Sequence, residues 1–366
     1  MTSRFVVALD TDADVSADRL GGKCASLLTM TREGAPVPPG FAVTTDAFEV
    51  LLEDTGLYAD VDEVLAGIDA ADPAGTEVCS AEIRRLVREQ PVPQAVASAV
   101  TTEYDSLCEA VGERDVAVAV RSSARTEDLP GASFAGQHDT YLWIRGADAV
   151  LDAVRRCWSS LWTARAITYR AAHAVPEKGL RMAVGVQKMV DARTAGVAMT
   201  VNPVDGDPSK IVIDAGWGLG ELVVSGDVTP DNFVVDKVLL VAVRTTVSPK
   251  HYELVVAPDG RGLVRGEVDE SRRLVPCLAP DEISAVAGLA KAIERRHGCP
   301  QDIEWAIARD QHAPGGAPAV LLLQSRRETV WSRRPRRPAR VTDGAGVASI
   351  TETMLGRGTH GLDPPA

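Results

Sequence analysis

Two widely separated segments of the chain carry side chains that can hold a phosphate group and a metal ion. In the first segment, Arg121 follows the apolar run Val118–Val120 and precedes small polar residues. We therefore expect it at the end of a strand, where a rigid backbone would present the guanidinium fork to phosphate oxygens. Taken alone, this arginine has the equally simple interpretation of a solvent-exposed side chain.

The second segment has two carboxylates on a predicted strand. Asp302 and Glu304 alternate with the apolar residues Ile303 and Trp305, and alternate residues of a strand share one face. Two carboxylates on one face repel each other unless a cation lies between them, and Mg²⁺ prefers oxygen ligands of this kind. The alternation therefore predicts a magnesium site at Asp302 and Glu304, with a solvated sheet face as the alternative.

Another polar pair ends the next predicted strand. Gln324 and Arg326 follow the apolar run Val320–Leu323 and again share a face. A solvated face is a credible explanation of either segment alone. It explains both less well, because solvent exposure does not select carboxylates on one strand and an amide with a guanidinium on the other. Together the segments favour a site for a nucleoside triphosphate and its metal.

Two glycine-containing segments add candidate phosphate contacts. Lys23 follows Gly21 and Gly22 where a helical pattern begins, and a helix N-terminus attracts phosphate through its free N–H groups. The loop Pro130–Gly136 could fold over phosphates, because glycine permits close approach of the backbone. The alternatives are a surface lysine beside a tight turn and an ordinary glycine turn.

Two further segments have weaker patterns. Glu221 follows the glycine-rich segment Asp214–Gly220 and could approach the metal or the triphosphate; otherwise it is a helix-start carboxylate stabilised by the helix dipole. The apolar strand Val186–Val190 could pair its backbone with adenine and pack Met189 on the ring. On pattern alone, a core strand is the simpler interpretation of that segment.

The composition excludes several classes of protein. The 366 residues carry a net charge of −12, which argues against a general nucleic-acid binder, because affinity for the phosphate backbone requires clustered Lys and Arg. The six cysteines form no CxxC pair and the six histidines show no ligand spacing, so neither a zinc site nor a redox motif is supported. The N-terminal apolar run is too short for a signal peptide, and no stretch is long enough to span a membrane. We therefore expect a reduced, cytoplasmic protein.

The predicted strands and helices are mixed without a strict βαβ rhythm, which predicts an α+β fold. Residues 46–112 are mostly helical in pattern, with breaks expected at the Pro and Gly positions of 73–75 and 91–93. Apolar residues at helical spacing predict one long amphipathic helix over 147–173. Strand patterns at 182–190 and 195–201, joined by a turn, predict a hairpin.

Six segments, taken in chain order, resemble the motifs of one family. They are 21–27, 120–137, 187–190, 218–231, 302–305 and 324–330. The family is the ATP-binding domain of phosphoenolpyruvate synthase, pyruvate phosphate dikinase and rifampin phosphotransferase, and the resemblance covers residues 5–331. The chain departs from the family at Arg327, where proline is usual, while Gln324 and Arg326 are kept.

The resemblance implies an α+β, ATP-grasp-type fold of two subdomains with the nucleotide in the cleft between them. We place the N-terminal subdomain at 1–183, including the helical part 46–112, and the C-terminal subdomain at 184–331. Residues 332–366 begin with a basic, Pro-containing run and then lose apolar periodicity. This composition indicates a linker-like or disordered tail.

The resemblance also implies a role for each matching residue. Lys23, Arg121 and Arg326 would be catalytic, because they would hold the phosphates and clamp the transferring phosphoryl group. Mg²⁺ would be bound by Asp302, Glu304 and Gln324. The expected ATP contacts are Lys23, Arg121, Gly136, Gln187, Lys188, Met189, Val190, Glu221, Gln324 and Arg326, of which Gln187–Val190 would form the hinge beside adenine.

In this family ATP gives a pyrophosphoryl group to a histidine on a separate swivelling domain. AMP and Pi are released, and the β-phosphoryl group passes to a small-molecule acceptor. His360 lacks the apolar helix expected after the family's phosphorylated histidine, so we expect a separate protein to carry the phosphohistidine and acceptor domains. Neither a nucleic acid nor a membrane is expected as a partner.

Three alternatives stay open. The chain could be a self-sufficient ATP-dependent kinase or ligase that acts directly on a small molecule, or a non-catalytic ATP-binding regulatory module. It could also be a piece of a longer enzyme. The presence of Glu304, Gln324 and Arg326 argues against the regulatory module, because binding alone does not require the full metal shell.

Overall fold

The computed structural model describes residues 3–66, 68, 72–124, 139–173, 175–177, 179–312 and 318–331. The chain divides into two compact units, Met1–Glu328 and Thr329–Ala366. All the helices, strands and contacts described below lie in the first unit.

Helices and strands alternate irregularly along the first unit. The helices are α1 (Ala17–Arg32), α2 (Thr45–Thr55), α3 (Leu57–Leu65), α4 (Pro73–Glu89), α5 (Gln94–Val111), α6 (Ala147–Ser159), α7 (Ala164–Ala172), α8 (Glu221–Val224), α9 (Glu270–Arg273) and α10 (Pro280–His297). The strands are β1 (Val6–Ala8), β2 (Gly40–Val43), β3 (Val118–Ala124), β4 (Thr140–Ile144), β5 (Met182–Lys188), β6 (Ala192–Met199), β7 (Lys210–Trp217), β8 (Asp231–Asp236), β9 (Ala242–Thr246), β10 (Tyr252–Val256), β11 (Leu263–Glu267), β12 (Gln301–His312) and β13 (Pro318–Arg327). This mixture agrees with the predicted α+β class.

Within the described ranges, the strands form two sheets and a separate hairpin. The first sheet has the order β1-β2-β5-β3-β4 and the second has the order β13-β12-β6-β7-β8-β9, while β10 pairs with β11. Neighbouring strands are antiparallel throughout. One apolar core lies between the first sheet and helices α2 to α6, and Phe48, Tyr104 and Trp158 are among its largest fully buried side chains.

Helix α1 belongs to a second core that joins elements of both sheets. Leu27, Leu28 and Met30 are buried in it, which confirms the face predicted from their helical spacing. The same core contains Ala42 of the first sheet and Leu322 of the second. Helix α1 therefore holds side chains of both sheets close to one another.

Two helix predictions are wrong in detail. Pro73 starts α4 instead of breaking a helix, because proline is favoured in the first turn and the Asp72 side chain accepts a hydrogen bond from the Ala74 N–H. The predicted helix over 147–173 is interrupted by a 3₁₀ turn at Ser160–Trp162, after which Thr163 caps α7.

The hairpin predicted from residues 182–201 is also wrong. β5 pairs with β2 and β3 in the first sheet, whereas β6 pairs with β7 and β12 in the second. An alternating pattern predicts a strand but does not identify its partner. The chain crosses between the sheets at 189–191, and the predicted boundary after residue 183 falls within β5. The division of the first unit into two subdomains stays a prediction.

No helix in the described part of the chain is both long and apolar enough to cross a membrane. All six cysteines lie in the described ranges, and no disulfide links them there.

Candidate functional site

The polar residues of the two carboxy-terminal segments face one another across β12 and β13. Asp302 lies opposite Arg326, and Glu304 lies opposite Gln324. The intervening Ile303 is 1% exposed and belongs to the core. The period-two prediction therefore holds on both strands, and it brings two carboxylates, an amide and a guanidinium onto one face.

An arginine lies beside each carboxylate. Arg326 Nε is 3.4 Å from Asp302 Oδ2, and Arg121 Nη1 is 3.7 Å from Glu304 Oε2. Both distances exceed the roughly 2.7–2.9 Å of a charge-assisted hydrogen bond. Both carboxylate side chains are 28% exposed. Their oxygens thus lie close to cations without short bonds to them, and they retain capacity for another ligand.

A β-bulge separates these polar pairs from the apolar part of β13. Leu322 lies opposite Trp305, whereas Gln324 lies opposite the preceding residue, Glu304, so Leu323 is an extra residue on β13. An extra residue bends the strand and redirects the side chains beside it. Leu323 and Gln324 both line one cavity as a result.

β3 continues past Arg121, contrary to the prediction that this residue ends its strand. The residues after it pair with β5 as far as Ala124. Serine is accommodated because Ser123 Oγ donates to the Leu20 carbonyl and accepts from the Cys24 N–H. The side chain of Arg121, 20% exposed, therefore extends from the middle of a rigid strand.

Helix α1 is interrupted at Gly21, two residues before Lys23. Gly21 has a φ of +67°, and a Cβ there would lie 1.8 Å from the Ser123 carbonyl oxygen. Only glycine fits such a close crossing of helix and strand. The helix begins at Ala17, earlier than predicted, but Lys23 still follows the break in its backbone.

A small cavity brings together four of the predicted site residues. Its lining residues are Leu9, Lys23, Cys24, Leu27, Arg121, Ser122, Gly185, Gln187, Leu323 and Gln324. The four predicted members, from α1, β3, β5 and β13, are Lys23, Arg121, Gln187 and Gln324. Four separate elements therefore bring two cationic and two amide residues to one small cavity, whose exposed lining is almost entirely apolar.

The predicted hinge, Gln187–Val190, lies where the chain crosses between the sheets. Part of its backbone is already hydrogen-bonded, because the Lys188 N–H donates to the Pro39 carbonyl and the Met189 N–H donates to the Ala117 carbonyl, each at 2.8 Å. A base bound here would have to use other backbone groups of the segment.

An apolar cluster adjoins this hinge. Val190 is buried in the cluster, and Met189, Leu321 and Leu323 pack against it. Leu323 also lines the cavity, so the apolar cluster extends to the elements that carry Lys23 and Arg121. An aromatic ring packed on this cluster would therefore lie next to those elements.

Glu221 begins α8 and lies within electrostatic range of the cavity residues. Desolvation raises the pKa of Glu221; the Arg121 guanidinium opposes this shift and the Glu304 carboxylate adds to it. Burial also raises the pKa of Asp302, against the opposing charge of Arg326. A carboxylate with a raised pKa lies where its ionised form is poorly stabilised, and a nearby cation would stabilise that form.

Not every predicted residue contributes to the cavity. Seven of the described site predictions do not line it: Lys188, Met189, Val190, Glu221, Asp302, Glu304 and Arg326. Gly136, together with the rest of the loop Pro130–Gly136, lies outside the described residues, and so does His360.

The sequence matches the family described as pyruvate phosphate dikinase, AMP/ATP-binding domain, over residues 17–345. The chain belongs to this family. The predicted ATP-grasp-type fold is the fold of the family, so the fold class is confirmed.

Relatives with longer chains carry the same domain. A probable phosphoenolpyruvate synthase of Methanothermobacter thermautotrophicus is 44% identical over 344 residues, covering 94% of this chain and 50% of that protein. Another, of Staphylothermus marinus, is 41% identical over 352 residues, covering 90% and 42%. A rifampicin phosphotransferase of Streptomyces sviceus is 42% identical over 312 residues, covering 85% and 35%. The chain therefore spans half or less of the length of these relatives.

The sequence patterns missed several residues of the cavity in this family member. Gly185 carried a usable signal, because an isolated glycine inside an apolar strand often marks close approach, and a Cβ there would lie 3.0 Å from Cys24 Sγ. Cys24 follows Lys23 on α1 and is 1% exposed, but no pattern distinguished it from a core residue. Leu323 was missed because a β-bulge within an apolar run cannot be recognised from the sequence.

The donor set of the candidate metal site is small. In the described ranges, no group of three or more His, Cys, Asp or Glu side chains is arranged to hold a metal ion. The candidate ligands are two carboxylates and one amide, from Asp302, Glu304 and Gln324. Mg²⁺ is commonly held by one or two carboxylates while substrate phosphates and water complete its shell. The residues present therefore fit Mg²⁺ that is bound jointly by protein and phosphate.

Proposed function

We propose that this domain binds ATP with Mg²⁺ and is the ATP-cleaving part of a phosphotransferase of the phosphoenolpyruvate synthase type. ATP would be converted to AMP and Pi, with the β-phosphoryl group passed through a histidine on a separate domain or subunit to a small-molecule acceptor. The observation that carries the proposal is the facing pair of strands with Asp302 opposite Arg326 and Glu304 opposite Gln324. Family membership and the names of the relatives support it.

Lys23 and Arg121 would bind the phosphate chain. They supply two positive charges to one cavity from two rigid elements, a helix and the middle of a strand. Phosphoryl transfer passes through a loose transition state with negative charge spread over oxygen atoms. Cations held in place before the reaction stabilise that charge without reorganisation, so the domain needs no nucleophile of its own.

Asp302, Glu304 and Gln324 would hold Mg²⁺ against the phosphates. Bound Mg²⁺ would neutralise part of the charge on the phosphoryl oxygens. Arg121 would keep its place beside Glu304, where it would contact the phosphates. Arg326 is half exposed at the end of β13, which would let it contact a phosphoryl group that moves toward an acceptor outside the cavity.

The adenine ring would pack on the apolar surface formed by Met189 and Leu323. Two N–H groups of the hinge are already used within the chain, so the base would be recognised by carbonyl groups of Gln187–Val190 or by the Val190 N–H. The continuity of this surface with the cavity through Leu323 supports the arrangement.

The test is ³¹P NMR of the purified protein with Mg-ATP, combined with calorimetric measurement of ATP affinity. Formation of AMP and Pi supports the proposal, whereas ADP contradicts it and indicates a direct kinase or ligase. A matched pair of variants controls for contaminating activity. Glu304→Gln should abolish product formation, while Glu82→Gln, at an exposed carboxylate paired with Arg85 on α4, should not.

If ATP binds and is not cleaved, the next test supplies a histidine acceptor. Adding a phosphohistidine domain of a phosphoenolpyruvate synthase should then start AMP release, and continued inertness would refute the catalytic part of the proposal. A protein that does not bind Mg-ATP refutes all of it. The separate histidine-bearing protein and a cytoplasmic location stay predictions.

A further inference from the structure

The hairpin β10–β11 belongs to neither large sheet, yet it contacts both halves of the fold. In the middle of β10, the Leu254 carbonyl accepts a hydrogen bond of 2.9 Å from the Leu219 N–H. At its tip, the Gly260 carbonyl accepts a hydrogen bond of 3.2 Å from the indole N–H of Trp143 on β4. The hairpin thus links the edge strand of the first sheet to the segment that precedes Glu221.

The contact between the Gly218–Leu219 segment and Leu254 is a close approach of two backbones. A Cβ on Gly218 would lie 2.4 Å from the Leu254 carbonyl oxygen, and Gly218 has a φ of +73°. A glycine at this position is therefore needed for the hairpin to contact the chain just before α8. Any displacement of Leu254 would act directly on the Gly218–Gly220 segment and so on the adjoining Glu221.

The base of the hairpin is fixed by a buried ion pair. Lys250 Nζ lies 2.6 Å from Asp231 Oδ1, and the two side chains are 1% and 0% exposed. The same carboxylate accepts hydrogen bonds from the N–H groups of Ser248 and Cys277. The base is therefore anchored in the second sheet, while the tip is anchored through the Trp143 indole to the first.

Trp143 is held in an unusual backbone conformation. Its φ is +59°, a region that is unfavourable for a bulky side chain and persists only where the surroundings impose it. The Arg145 guanidinium lies over the indole ring, with its carbon 5.4 Å from the ring centre. The indole N–H, the only polar group of this ring, donates to the hairpin tip. A ring held in this way is better suited to fastening the hairpin than to packing alone.

The hairpin also covers the apolar surface beside the predicted hinge. Leu254 and Leu263, one from each strand, pack against the same cluster as Met189 and Leu323. The hairpin therefore contacts the candidate site through the Leu219 backbone, beside Glu221, and through this apolar cluster, to which the Leu219 side chain also belongs.

We propose that Trp143 is a positioning residue that fastens the hairpin β10–β11 across the fold, and that the fastened hairpin sets the place of Glu221 and of the apolar surface for the nucleotide. This role rests on the proposed function, because it concerns the same site. Loss of the indole hydrogen bond should loosen the hairpin and weaken nucleotide binding without unfolding the domain.

The test compares Trp143→Phe with Trp162→Phe by hydrogen–deuterium exchange and by the dissociation constant for Mg-ATP. Trp143→Phe keeps an aromatic ring and removes one donor. Trp162 is 3% exposed and its indole nitrogen has no hydrogen-bond partner, so its replacement controls for loss of an indole as such. In Trp143→Phe we expect exchange over residues 252–267, and the dissociation constant, to rise roughly three- to tenfold, as for one lost hydrogen bond. Trp162→Phe should raise neither the exchange over residues 252–267 nor the dissociation constant for Mg-ATP.

Unchanged exchange in Trp143→Phe overturns the fastening role. Faster exchange with unchanged ATP affinity overturns the positioning role. If the unsubstituted protein does not bind Mg-ATP, the proposed function and the positioning role both fail, while the exchange comparison still decides whether Trp143 fastens the hairpin. Should Trp143→Phe fail to fold, a second variant with a two-residue Asn-Gly turn in place of 257–262 removes the acceptor instead, and it should give the same two changes.

Discussion

Replacing Gly21 with alanine tests whether the close crossing of α1 and β3 is what positions Lys23. A Cβ at Gly21 would lie 1.8 Å from the Ser123 carbonyl oxygen and 2.6 Å from its Oγ. The strand cannot retreat easily, because Ser123 is paired with Ala183 in the middle of the first sheet. The helix would therefore have to move away from β3 and carry Lys23 with it.

Two costs add up at this position. Gly21 has a φ of +67° and a ψ of 170°, a region that is essentially restricted to glycine and costs an L-residue about 1–3 kcal/mol. Forcing extra atoms into a packed contact costs about 1–3 kcal/mol more. We therefore expect Gly21→Ala to lower the free energy of unfolding by about 2–6 kcal/mol. Affinity for Mg-ATP should fall as well, since the displaced lysine would leave the cavity.

Gly34→Ala is the control, because Gly34 shares the positive φ of Gly21 without the steric overlap. Gly34 follows α1 with a φ of +76°, and a Cβ there would meet nothing within 4 Å. Its replacement should cost only the conformational part, about 1–2 kcal/mol, and leave ATP affinity unchanged. Urea unfolding followed by circular dichroism, with calorimetry for ATP, measures both effects. Equal destabilisation by the two substitutions would refute the packing argument.

Other substitutions test the site and the core separately. Arg121→Ala should slow ATP cleavage by well over tenfold, since a positioned transition-state cation is typically worth several kcal/mol, and an unchanged single-turnover rate removes Arg121 from the site. Glu304→Gln should raise the Mg²⁺ concentration needed for ATP binding by about tenfold, as expected for the loss of a charged ligand; magnesium titration after EDTA treatment measures this, and an unshifted curve contradicts the metal assignment. Lys250→Met leaves Asp231 buried without its cation and should lower the free energy of unfolding by about 3–5 kcal/mol, measured in urea; a loss near zero would show that the pair is not needed.

Local patterns predicted much of the site because they act within one element. Alternation placed Asp302 and Glu304 on one face, and helical spacing placed Leu27 and Leu28 in the core. Neither pattern carries information about which strand lies next to which. The hairpin expected from residues 182–201 is absent for this reason, since β5 and β6 have strand patterns but pair in different sheets.

The ends of elements were less predictable because hydrogen bonds decide them. Ser122 and Ser123 suggested that β3 stops at Arg121, yet Ser123 finds partners on α1 and the strand continues. Pro73 suggested a break, yet the Asp72 cap makes it a helix start. In both cases a hydrogen bond between a side chain and a backbone group decides where the element begins or ends. Composition alone does not predict that hydrogen bond.

The bulge at Leu323 decides which face of β13 carries the chemistry. In an uninterrupted ladder that begins with Leu322 opposite Trp305, the next residue, Leu323, would lie opposite Glu304, and Gln324 would lie opposite the buried Ile303. A shift of one residue moves every following side chain to the other face of a sheet, so Gln324 would face the core. The one extra residue instead brings Gln324 opposite Glu304. The polar residues of β12 and β13 are therefore necessary for the site but not sufficient, because the register that aligns them depends on an irregularity inside an apolar run.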